Sequence, residues 1–184
     1  DLEAAWQFDE GSGATSVDAT GNGNDVTING ATWTTSSRTG DAALSFDGTN
    51  DYVQTTSSTL DLKTATNFTL SAWFKADTTS GQRHILWQGV STQNGWGEPT
   101  IDDPTSSEMN LTVGHWDAAI NYKITFFLGY HDLTIPDSIN IISSSDFTDT
   151  IAWHHAVVVV TDLDGGTTLQ ADLYIDGVFE GSDS

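Results

Sequence analysis

The chain has 184 residues, a length that suits one domain with enough interior to fold without staples, and it has no cysteine, so neither disulfides nor thiol chemistry contribute. Its 26 acidic and 5 basic residues give a net charge of −21, which argues against binding nucleic acid or an anionic membrane; no apolar run reaches the length that membrane insertion needs. Such acidity either keeps a β-rich surface soluble or suits a secreted protein in a saline or calcium-rich setting, where cations screen self-repulsion and carboxylates bind divalent ions.

In order, the chain reads as short strands between tight polar turns, with almost no helical punctuation. The first strands are predicted over residues 2–8, 26–28, 31–34, 44–46 and 52–54, separated by turns rich in Gly and Asn. In the first of these, Ala4, Trp6 and Phe8 fall on one side of an extended chain. The turn that follows crowds Asp18, Asn22, Asn24 and Asp25 around Gly21 and Gly23, which can take positive φ and aim backbone carbonyls at a point. Its spacing does not fit an EF-hand loop, and one loose echo of a β-roll repeat cannot build a roll. The segment Asp47-Gly48-Thr49-Asn50-Asp51 reads as a hairpin turn rather than a metal cage.

Residues 68–75 alternate cleanly, with Phe68, Leu70, Ala72 and Phe74 on the core face and Thr69, Ser71, Trp73 and Lys75 on the other. Further strands are predicted over 84–88, 108–113, 124–130, 152–161 and 169–175, while residues 143–146 read as a loop. His154 and His155 are adjacent in a strand, so they point to opposite faces, one core and one surface, and cannot share one metal. Trp6, Trp73, Trp87 and Trp153 are expected to pack. Strands at this spacing mean an all-β, two-sheet antiparallel sandwich, a single domain over residues 1–184.

The densest set of candidate ligand-binding residues lies between the strands. Trp96 sits between Gly95 and Gly97 with little local chain to pack against, and Trp116 follows in a second such segment. A sugar ring presents an apolar C–H face that an indole can stack on, while carboxylates and amides bond its hydroxyls. Asn94, Glu98, Asp102, Asp103 and Asp117 supply oxygens for such a site, and vicinal hydroxyls can replace two water ligands of a Ca2+ ion held by Glu98, Asp102 and Asp103. His131, between Tyr130 and Asp132, is a weaker candidate. The alternative is a Trp96 buried beneath its loop and acids that are merely solvated.

Two separated blocks carry a family resemblance. Trp6-Gln7-Phe8-Asp9-Glu10-Gly11-Ser12-Gly13, Asp18-Ala19-Thr20-Gly21-Asn22-Gly23-Asn24 and Phe46-Asp47-Gly48-Thr49-Asn50-Asp51-Tyr52-Val53 open the chain, and Trp153-His154-His155-Ala156-Val157 leads to Leu173-Tyr174-Ile175-Asp176-Gly177-Val178. Together they resemble the laminin-G-like, concanavalin A-like jelly-roll superfamily of lectins and glucanases. The resemblance implies a jelly-roll sandwich and a structural calcium at the first turn, through Asp18 with Asn22 and Asn24 beside it; the alternative there is an Asx-type turn with no ion. It also implies strands beyond the one near residues 173–178, so the sandwich is expected to lack its last strands and to have its C-terminal sheet edge covered by a neighbouring segment or chain.

Catalysis is not expected. A retaining glycosidase holds two carboxyls about 5 to 5.5 Å apart, and the E-x-D-x-x-E strand of the related glucanases does not occur. Asp172 and Asp176 are four residues apart, about 13 Å along a strand. The sequence thus points to a calcium-dependent, carbohydrate-binding module of a bacterial extracellular or cell-surface adhesin, with a glycan as partner. The alternatives are a protein- or peptide-binding module of the same fold, a structural spacer, and a glucanase- or lyase-type enzyme.

Overall fold

A computed structural model describes residues 1–55, 57, 60, 62, 65–78, 81–89, 108–114, 121–129, 138–165 and 168–184. It divides into two compact units, Asp1–Asp61 and Leu62–Ser184. The first holds β1 (Thr15–Ser16), β2 (Val26–Asn29), β3 (Thr32–Thr34), β4 (Ala43–Ser45) and β5 (Tyr52–Gln54). These form a sheet of order β1-β2-β5 and a separate β3-β4 pair. Residues 2–8, expected as a strand, form none. Phe8 adopts a left-handed φ of 51°, which breaks an extended run, and the backbone there is satisfied by turn side chains instead of a ladder.

The second unit is the sandwich. Its strands are β6 (Phe68–Phe74), β7 (Arg83–Gly89), β8 (Glu108–Val113), β9 (Ile124–Gly129), β10 (Ile139–Ile142), β11 (His154–Asp162), β12 (Leu169–Ile175) and β13 (Val178–Asp183). They make two four-stranded antiparallel sheets, ordered β10-β9-β8-β7 and β13-β12-β11-β6. Alternation decides which side chains meet: Leu70, Val158 and Leu173 lie side by side across one sheet, and Leu111, Phe126 and Ile141 across the other. Five of these belong to one buried apolar core, with Phe126 and Leu173 fully buried, and Leu70 packs against it. Burying each such side chain contributes about 1.5–3 kcal/mol.

The β12–β13 hairpin turns on Asp176 and Gly177, both left-handed at φ 53° and 79°, with Ile175 paired to Val178 across them. Two positive φ values in a two-residue loop are what a type I′ turn demands, and Asp-Gly meets that demand at little cost. Strand β13 then runs beside β10: the Asn140 N–H donates to Asp183 Oδ2 at 2.8 Å, and the Ser144 N–H to the Glu180 carbonyl at 3.0 Å. The C-terminal strand β13 and strand β10 end their respective sheets side by side.

Candidate functional site

The first acidic turn is a hydrogen-bonded latch. Asp18 is 3 % exposed. Its Oδ1 accepts from the Ala5 N–H (3.1 Å), the Thr20 N–H (3.0 Å) and the Thr20 hydroxyl (2.7 Å), and its Oδ2 from the Asn24 N–H (3.2 Å). Burial pushes this carboxyl up, but the bonds from Thr20, Ala5 and Asn24 outweigh it and hold the pKa at about 2. Asn22 and Asn24 turn their amide N–H groups to the Glu3 carbonyl, at 3.0 and 2.9 Å, and the Trp6 indole donates to the Asn24 carbonyl at 2.8 Å. The bond from the Thr20 N–H to its own turn's Asp18 is the Asx-type arrangement. Three of the four bonds go to Oδ1, and Oδ2 accepts the one from Asn24.

The other predicted ligands and stacking residues, Asn94, Trp96, Glu98, Asp102, Asp103, Trp116, Asp117 and His131, lie outside the described residues. Among the described residues, no three His, Asp or Glu side chains converge as a metal-binding set.

Sequence reasoning missed an aromatic and amide row on the sandwich itself. On the face of the β7–β10 sheet turned away from the core, Trp87 pairs with Asn110, Asn110 with Phe127, and Phe127 with Asn140. Trp87 is 44 % exposed, more open than an indole packed into the core. Beside this row lies the pair Thr112 and Thr125, both buried, their hydroxyls 2.6 Å apart. The signal was available in the alternation of β8 and β9, where Asn110, Thr112 and Thr125 occupy the positions that skip the core.

The two histidines divide as their adjacency requires. His155 stacks on Trp73, with ring centroids 4.6 Å apart and planes 17° from parallel, and its Nε2 lies 2.8 Å from the Ser71 hydroxyl. His154 faces the other way, between Phe74 and Phe147, with Nδ1 2.7 Å from Asp176 Oδ2. Burial raises the Asp176 pKa, while the bonds from His154 and the His155 N–H, with the charges of both histidines, carry it below its ordinary value. Glu10, Asp149 and Glu180 are likewise shifted down.

Paired antiparallel sheets packed on one core define a β-sandwich of the lectin type of fold, with Trp87 and Asn140 exposed on one sheet face. The family model of the concanavalin A-like lectin/glucanases superfamily, Laminin_G_3, matches residues 47–184, and the chain belongs to that family. No curated protein and no solved structure matches the chain.

Proposed function

We propose that this chain is a non-catalytic carbohydrate-binding module of an extracellular or cell-surface protein, an adhesin by its acidity. The observation that carries the reading is the outward face of one sheet, where Trp87, 44 % exposed, and the exposed Asn140 stand at the two ends of a row that passes through the buried Asn110 and the half-buried Phe127. A half-exposed indole offers a plate for the apolar face of a sugar ring, and the exposed Asn140 amide offers both a donor and an acceptor to its hydroxyls. The sequence candidates Asn94, Trp96, Glu98, Asp102, Asp103, Trp116, Asp117 and His131 belong to the proposal as sugar-binding residues, and calcium enters it through Glu98, Asp102 and Asp103. Support for a non-catalytic role comes from the carboxylates. A retaining glycosidase holds two carboxyls about 5 to 5.5 Å apart, and the E-x-D-x-x-E pattern of the related glucanases does not occur in the chain.

A glycan array tests the reading. The chain is expected to be retained on a subset of sugars with calcium present and released by chelator. Trp87→Ala should weaken retention about tenfold or more while changing stability by no more than about 0.5 kcal/mol, as an exposed substitution does. Retention undiminished in both chelator and the Trp87 variant contradicts the proposal.

A further inference from the structure

The turn around Asp18 contains the dipeptide Asn22-Gly23, and β2 runs into another, Asn29-Gly30. An asparagine followed by glycine can react with itself: no side chain on the glycine obstructs attack of its nitrogen on the asparagine Cγ, and the glycine backbone bends freely to bring the two together. The fold treats these two pairs differently. Asn22 and Gly23 are exposed and lie in a turn rather than a strand, Gly23 is left-handed at φ 82°, and a Cβ placed on it would meet no described atom within 4 Å. The bonds that hold the Asn22 amide, to the Leu2 and Glu3 carbonyls at 3.3 and 3.0 Å, are solvent-exposed, so water replaces them at little cost. Asn29 is half-buried in β2 and paired to Tyr52 of β5, which holds its backbone extended. The Asp51 carboxyl occupies the place that a side chain on Gly30 would take. Ring closure at Asn22 therefore needs only a local rearrangement of an exposed turn, whereas at Asn29 the β2–β5 pairing must open first.

We propose that Asn22-Gly23 is a self-modification site that unlatches the first turn as the folded chain ages. The Gly23 nitrogen gives its proton to solvent base and bonds to Asn22 Cγ; the Cγ–Nδ2 bond breaks, and Nδ2 leaves as ammonia, closing a succinimide ring. Water then opens one of the imide C–N bonds of that ring. One opening leaves aspartate at this position, and the other leaves isoaspartate, which routes the main chain through the side chain. Either product turns a carboxylate toward the Leu2 and Glu3 carbonyls that the amide donates to, so attraction becomes repulsion. Isoaspartate also lengthens the main chain ahead of Asn24, whose N–H binds Asp18 and whose carbonyl takes the Trp6 indole. The reaction is independent of the sugar-binding reading, since it belongs to the first unit and Trp87 to the second.

The test is to incubate the natural chain in mildly alkaline buffer, once folded and once in urea, and to follow each asparagine by peptide mapping with mass spectrometry. Mapping keeps Asn22 and Asn29 apart from Asn94-Gly95, which lies outside the described residues. In the folded chain Asn22 is expected to convert at least about tenfold faster than Asn29, and in urea the two rates are expected to converge. As Asn22 converts, slow amide exchange at Ala5 and Asn24 should be lost and the Trp6 indole N–H signal should move. The Asn22→Gln variant, whose longer side chain closes a ring far more slowly, should keep its own starting values through the same incubation. The proposal is overturned if folded Asn22 converts no faster than Asn29, if the gap persists in urea, if the converted chain keeps the protection and the Trp6 signal of the fresh one, or if Asn22→Gln loses them equally.

Discussion

At Asp18 one carboxylate organises a turn by accepting four hydrogen bonds, and this has a consequence in acid. The folded chain holds this group at about 2 against an ordinary 3.8, so the folded state binds its proton less readily than the unfolded one. The stabilisation is therefore complete above the ordinary value and is lost as pH falls toward 2. Amide-exchange protection at Ala5, Thr20 and Asn24 is expected to decline over that window, and Asp18→Asn should lower protection at neutral pH and flatten the acid slope. Protection that is flat down to pH 2 in the natural chain contradicts the latch. That this turn is special was legible in the sequence, but its use was not, because Asp, Asn and Gly close an Asx-type turn and line a calcium loop with the same residue types. The hydrogen bonds themselves depend on Ala5 and Glu3, distant in sequence, whose backbone groups take up the side chains of Asp18, Asn22 and Asn24. His154 and His155 were legible for a simpler reason, since adjacent residues of a strand face opposite ways.

Among the elements, β6 was readable from its alternation alone, and Phe68, Leu70 and Phe74 do pack against the core while Thr69, Ser71 and Trp73 face out. The strands that escaped, β1, β10 and β13, are short or mixed in composition, and their partners specify them more than their own sequences do. Strand β13 shows how. Glu180, 5 % exposed, points back to the loop after β10, where its Oε2 accepts from the Ser144 hydroxyl at 2.7 Å and the Ser145 N–H at 2.8 Å. Burial raises its pKa, and the Ser145 and Ser144 bonds bring it below the ordinary value. The acid that looks out of place in V-F-E-G-S-D is thus the fastening between β13 and the neighbouring sheet. Glu180→Ala leaves the Ser145 N–H without its acceptor and is expected to cost about 1–3 kcal/mol in urea unfolding, with Glu180→Gln costing less because an acceptor remains. Equal stability of the alanine variant and the natural chain contradicts this role. Strand 2–8 failed in the opposite sense: its apolar alternation suits a strand, but Phe8 turns left-handed and the backbone finds its partners in the turn.

For the molecule as a whole, the class of fold was legible from strand spacing and the two motif blocks, and the family match over residues 47–184 agrees with it. The binding surface was less so. A sheet face is assembled from residues far apart in the chain, so Trp87, Asn110, Phe127 and Asn140 become neighbours only once the register of β7 to β10 is known. Sequence reasoning saw indoles in strands and assigned them to packing, whereas Trp87 stands 44 % exposed on the outward side of its sheet. The most direct test of the sugar-binding account is to titrate the best-retained oligosaccharide into the natural chain while following the indole N–H signals of its seven tryptophans by NMR. The account predicts that the Trp87 signal moves in a saturable manner while that of Trp6 stays in place; saturable sugar binding that leaves the Trp87 signal unmoved would contradict it.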